Sequence, residues 1–176
     1  MTDIADRARR SLQELGAQPD LIEQRGLPVF DDASDLEIAH VSDSGREHLL
    51  VPSAAAAWKA ARAAAEADEV RLLVISGFRS FDRQLELISA KVDRGESIDE
   101  ILRVMAPPGC SEHHTGRAVD VGTPGCEPLS EHFETTDAYT WLDQHAREFG
   151  FSMSYPRNNR WGFTYEPWHW CYTQSG

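Results

Sequence analysis

Apolar residues along the chain fall into short runs whose spacing alternates between helical and strand-like. Ile4, Ala8, Leu12 and Leu15 share one helical face and predict a helix over about Asp3–Leu15. Gln18–Asp43 is rich in Pro, Asp and Gly and reads as a meandering segment with at most one short strand. Ala54–Ala67 is dominated by alanine, the best helix former, with Ser53 placed to cap it and Trp58 and Val70 to tie its ends to a core.

Val70–Ser76 is a compact apolar run, β-branched toward both ends, and predicts a central strand. Gly77 turns the chain, and Ser80 is placed to cap a helix with Phe81, Leu85, Ile88 and Val92 on its apolar face. A shorter helix over Ser97–Met105 is stopped by Pro107-Pro108-Gly109. Arg117–Gly122 alternates as a strand does. Asp137 is read as the cap of a helix carrying Trp141, Leu142, His145 and Phe149, ended by Gly150. Phe151–Tyr155 and Trp168–Tyr172 complete a small set of strands. Helices and strands interleave without strict alternation. The expectation is therefore an α+β single domain over 1–176, with a small, mainly antiparallel sheet and flanking helices. Residues 1–50 form a helix and an irregular segment ahead of a core at 51–176.

Charge narrows the partners. Seventeen basic against twenty-nine acidic residues give a net charge of −12, a surface that repels nucleic acid and anionic membranes. No apolar run reaches the roughly 18 residues of a membrane span, and the N-terminus lacks the apolar stretch of a secretory signal. As written, the chain is expected in the cytoplasm, or in the periplasm or outside the cell if a leader has been removed. Oligomeric state has no signature in the sequence. Three cysteines, Cys110, Cys126 and Cys171, are too few and too scattered for a zinc ribbon. An odd count fits free thiols in a reducing compartment, a Cys110–Cys126 bridge being the lesser alternative.

Two clusters concentrate ligand-type residues: Ser111-Glu112-His113-His114-Thr115-Gly116-Arg117-Ala118-Val119-Asp120 and Glu166-Pro167-Trp168-His169-Trp170. A catalytic zinc takes about three ligands from His and carboxylate and keeps one position for water. His113, Asp120 and His169 would supply two neutral imidazoles and one carboxylate, leaving a residual charge of about +1 that lowers the pKa of a bound water to roughly 7. Glu166, near the metal without binding it, suits a general base. The bland alternatives are an exposed loop histidine in the His113–His114 pair and Asp120 as an ordinary cap.

Ser111–Asp120 reads S-x-H-x-x-G-x-A-x-D, Glu166–His169 reads E-x-W-H, and Ser76–Gln84 reads S-G-F-R-S-x-x-x-Q. In this order the three motifs resemble the VanY-type D-alanyl-D-alanine carboxypeptidases. That group belongs to the zinc peptidase superfamily of lysostaphin, the D-Ala-D-Ala metallopeptidases and the hedgehog domain. The resemblance runs from about Val70 to Tyr172 and implies one zinc per chain held by His113, Asp120 and His169, with His114 left in a supporting or exposed place. It implies Glu166 as catalytic base and Arg79 as the group that polarises the scissile carbonyl. Gln84 and Ser111 match positions that line the substrate cleft, and Trp168 is expected to pack beside the metal. The implied activity is D,D-carboxypeptidase cleavage of the D-Ala-D-Ala terminus of peptidoglycan stem peptides or their precursors. An endopeptidase with the same zinc site and an inactive hedgehog-like binding module are the alternatives. His145 is read as a core histidine, and His40, His48 and His132 carry no signal. One departure stands out: Cys171-Tyr172 follows E-P-W-H-W where the family often has Arg-Tyr, which questions any substrate contact from that arginine position.

Overall fold

A computed structural model describes residues 4–173. Its first helix, α1 (Ile4–Glu14), buries Ala8 and Leu12 as their spacing predicts; Asp3, where the sequence places its start, lies outside the described residues. The meandering segment holds more order than its composition suggests. It contains a short helix α2 (Leu21–Arg25) and the one strand expected, β1 (Glu37–Val41), which forms an antiparallel hairpin with β2 (Glu47–Leu50) just beyond it. Strand β2 escapes sequence reading because its inward residues are His48 and Leu50, a pairing that carries no apolar alternation.

Helix α3 (Pro52–Ala67) buries Trp58 and one row of alanines, but Ser53 does not cap it. Val51 is the cap residue and Pro52 opens the helix, where a missing N–H costs nothing. Strand β3 (Leu73–Ser76) starts later than the apolar run. Ahead of it, the Val70 N–H closes the end of α3 on the Ala65 carbonyl, and the Leu72 carbonyl accepts from Arg62 Nε. Helix α4 (Phe81–Asp93) is capped as expected, Ser80 Oγ accepting from the Arg83 N–H. Then come α5 (Ile98–Val104), β4 (Ala118–Gly122), α6 (Asp137–His145), β5 (Phe151–Met153) and β6 (His169–Tyr172). The cap of α6 is Thr136, whose Oγ1 accepts from the Tyr139 N–H; Asp137 is already inside the helix. His145 is no core histidine: its ring is 38% exposed and faces Glu148. All three cysteines are free thiols, so Cys110 and Cys126 are not bridged.

The main sheet has the order β3-β4-β6-β5 and is antiparallel throughout, in keeping with the α+β expectation. Strand β4 is buried along its whole length. One apolar cluster packs α3 and α6 with the sheet around Trp58, Trp141 and Phe151. A second gathers α1, α2, α4 and α5 around Phe81, Ile88 and Phe163. Residues 28–33 are strapped onto the later chain. The Phe30 N–H donates to the Gly109 carbonyl and the Ala33 N–H to that of His114, each at 2.8 Å. Asp32 accepts from the Phe81 N–H at the start of α4 at 2.8 Å. Among the described residues, no helix is long and apolar enough to cross a membrane.

Candidate active site

Three short pieces of backbone converge at one end of the sheet. Strand pairing sets Asp120 on β4 directly opposite His169 on β6 and opposite Ser76 at the end of β3. A single turn of 3-10 helix, Glu112–Thr115, brings His113 against them, with Ser111 Oγ accepting from the His113 N–H. Gly116 ends that turn at φ +64°, where a Cβ would lie 2.9 Å from Leu36 and 3.2 Å from the Val51 nitrogen. Only glycine fits there. Gly77 is held as tightly: a Cβ would lie 2.8 Å from the Leu49 carbonyl oxygen.

His113 Nε2 lies 3.2 Å from Asp120 Oδ2, and His169 Nδ1 lies 3.0 Å from Asp120 Oδ1. All three side chains are buried, and their donor atoms lie within 4.8 Å of one another. The set suits zinc. Ligands bound tetrahedrally at about 2.0–2.1 Å stand roughly 3.3 Å apart, close to the observed separations, and two imidazoles with one carboxylate form a common catalytic donor set. The other nitrogen of each ring is engaged: His113 Nδ1 with the Gly77 carbonyl at 2.7 Å, and His169 Nε2 with Glu112 Oε2 at 2.9 Å.

Electrostatics bind the cluster together. Burial alone would raise the Asp120 pKa, yet the two histidines hold it far below the usual carboxylate range. Burial would lower that of His169, but its hydrogen bonds to Asp120 and Glu112 push it up to about 10. Glu166 goes the other way, burial lifting its pKa to about 7 against the pull of His169.

The cluster opens onto a cleft of about 510 Å³. Arg79, Ser111 and Glu166 line it beside His113, Asp120 and His169, so six of the seven residues singled out in the sequence face one space. Gln84 is the exception. It is fully buried, donates through Nε2 to the Ala106 carbonyl at 2.7 Å, and does not line the cleft. Trp168 is half-buried and forms part of the cleft wall together with Tyr155, Phe163 and Met105. Burial lowers the pKa of the Arg79 guanidinium, opposed by Asp120 and Glu166, and its Nε has no hydrogen-bond partner.

His114 is buried and structural. The Gly109 N–H donates to its Nε2 at 3.0 Å, so Nδ1 carries the proton and donates to the Arg79 carbonyl at 2.7 Å. The Arg79 N–H in turn donates to the His113 carbonyl at 3.2 Å, so the backbone of Arg79 is clamped by both histidines. Sequence reasoning passed over Glu112; its one signal there is a carboxylate directly before a ligand-type histidine. Cys171, which stands where the family often has arginine, is buried and lies outside the cleft lining.

The chain is 35% identical over 158 residues to the putative carboxypeptidase YodJ of Bacillus subtilis (strain 168), covering 85% of this chain but 57% of that relative's length. Among solved structures, the LD-carboxypeptidase LdcB superposes with a TM-score of 0.72 at 34% identity, over 82% of this chain and 71% of that one. A mutant of the D,D-pentapeptidase VanY from the VanB-type vancomycin resistance cassette, in complex with Zn(II), gives 0.63 at 29%, over 80% and 79%. The family model for VanY, D-alanyl-D-alanine carboxypeptidase, matches residues 47–175. On that match, which spans the hairpin strand β2, the cleft and all three motifs, the chain belongs to the VanY D-alanyl-D-alanine carboxypeptidase family.

Proposed function

We propose that the protein is a zinc-dependent D,D-carboxypeptidase that removes the terminal D-Ala from peptides ending in D-Ala-D-Ala, as in peptidoglycan stem peptides. The observation that carries this is the convergence on one cleft of a zinc-type donor set, a buried carboxyl outside that set and a buried arginine. His113 through Nε2, His169 through Nδ1 and Asp120 through its carboxylate would hold the zinc. Zinc bound there would supply a Lewis acid that acidifies water and polarises a carbonyl.

The chain's own groups account for the remaining steps. Glu166, with a pKa near neutrality, takes a proton from the attacking water and returns it to the departing amine of the terminal D-Ala. Arg79, its backbone fixed by His113 and His114, offers N–H donors to the carbonyl oxygen as negative charge develops on it. Ser111 shapes the cleft beside His113 by capping its turn. Retention of both Glu166 and Arg79 weighs against an inactive binding module. A cell-wall substrate puts the site of action outside the cytoplasmic membrane.

A second reading, cleavage of the L,D bond in a tetrapeptide, is favoured by the likeness to LdcB. A release assay on synthetic stem peptides separates the possibilities. Free D-Ala from the pentapeptide is the expected result. Release from the tetrapeptide alone would establish the L,D activity instead, and internal fragments would mark an endopeptidase.

A further inference from the structure

We propose that Glu112 is a positioning residue that fixes the ring of His169 for metal binding, with Ser154 holding Glu112 in turn. The inference rests on the zinc reading above and adds to it a residue that lies outside the cleft. One carboxylate oxygen, Glu112 Oε2, meets both partners: His169 Nε2 at 2.9 Å and the Ser154 hydroxyl, which donates at 2.6 Å. The Glu112 side chain is 17% exposed and is absent from the cleft lining, so it sits behind the imidazole and not among groups that would touch a peptide.

An imidazole has two nitrogens, and a metal needs the lone pair of the correct one. A carboxylate accepting from Nε2–H commits the ring to carry its proton there, which leaves Nδ1 directed at Asp120 and the donor cluster. It also opposes a half-turn of the ring, which would put the carbon Cδ2 in place of Nδ1 and leave Glu112 without its donor. The second histidine lacks such a side chain. The rear nitrogen of His113 meets a backbone carbonyl, that of Gly77, at 2.7 Å. A hydrogen bond to an ionised acceptor is roughly twice as strong as one between neutral groups, so Glu112 raises the ligand strength of His169 beyond what Gly77 does for His113. Placement comes from the turn itself: Glu112 and His113 are its first two residues, and the turn sends His113 into the cleft while Glu112 reaches β6 from behind. Ser154, just past β5, reaches the same oxygen from the neighbouring strand.

The test is zinc affinity, read by competition with a chromophoric chelator at fixed pH for the wild type and for Glu112→Ala, Glu112→Gln and Ser154→Ala. Thermal unfolding of each metal-free protein serves as the folding control. Glu112→Ala is expected to bind zinc 10–100-fold more weakly, the usual cost of losing such an outer partner. Glu112→Gln, whose amide oxygen still accepts from Nε2–H, should lose less, and Ser154→Ala only a few-fold. The d–d spectrum of the cobalt(II)-loaded protein should shift in Glu112→Gln, because the donor strength of His169 changes. A folded Glu112→Ala protein with wild-type zinc affinity would overturn the inference. Should that variant not fold, wild-type affinity in both Glu112→Gln and Ser154→Ala would overturn it equally. A wild-type chain that binds no zinc would instead defeat the zinc reading itself, and the inference with it.

Discussion

Asp120 and His169 are cross-strand partners on β4 and β6, and their side chains meet at 3.0 Å although 49 residues separate them along the chain. Strand register alone brings them together. A slip of one residue would turn one of the two side chains to the opposite face of the sheet and dismantle the donor set. The site is therefore as secure as the β4–β6 pairing, which lies inside the sheet and not at its edge.

If His113, Asp120 and His169 are the ligands, changing any one to Ala should abolish stoichiometric zinc binding, whereas His114→Ala should retain it. Metal analysis of the purified proteins checks this. Full zinc content in His113→Ala together with loss in His114→Ala would reverse the choice of histidine.

Glu166 is assigned a proton-transfer role and no metal bond. Glu166→Gln should keep zinc and fold while turnover falls by at least about 100-fold, the low end for loss of a general base. Zinc content and D-Ala release measured on the same preparation decide it, and an active variant would remove Glu166 from the mechanism.

Arg79→Ala should lower kcat more than it raises KM, because its donors matter most when charge builds on the carbonyl oxygen. Loss of one such donor typically costs about 3–4 kcal/mol. Arg79→Lys should restore little, a point charge replacing a planar fork. Steady-state kinetics on free and C-terminally amidated peptides are the measurement. A loss confined to KM, and absent with the amidated peptide, would make Arg79 a clamp for the terminal carboxylate.

Cys126 should be the one thiol that reacts quickly in the native protein. Cys110 is buried with its pKa raised to about 12 from an ordinary 9.0, and burial with Glu112 nearby raises that of Cys171 as well. A thiol reagent at pH 8 should titrate one cysteine in the folded state and three in denaturant. The Cys110 shift also costs stability in alkali. The unfolded chain loses its proton above about pH 9 while the folded one keeps it, so stability should fall between pH 9 and about 12.

Much of this was legible in the sequence, for reasons that differ by element. The Ser80 cap and the apolar face of α4 follow local rules, and the structure keeps them. Ligand chemistry pointed to His113, Asp120, His169 and Glu166 and the family resemblance added Arg79 and Ser111, and these six of the seven chosen residues meet in the cleft. Gln84 was misplaced because a motif gives position along the chain and not side-chain direction; its helix turns it into the core, toward Ala106. Glu112 was passed over, and His114 was left between a supporting and an exposed place, for a related reason. Their roles depend on which face of a single 3-10 turn each residue occupies, and a four-residue element has too little periodicity to tell.

Asp32→Ala should destabilise the fold by about 1 kcal/mol, as the loss of a helix-capping acceptor does, because the Phe81 N–H loses its carboxylate. Chemical denaturation measures it, and an unchanged midpoint would make the strap dispensable.

The strap of residues 28–33 also separates two units that are easily taken for one. The family match begins at residue 47, yet the backbone that braces the arginine turn and the histidine turn comes from before it. A fragment cut at the start of the match would keep every motif and lose the bracing of the turns that carry them. In this protein the stretch matched by the family model is shorter than the stretch whose backbone braces the site, and a boundary for truncation or domain grafting belongs ahead of the strap.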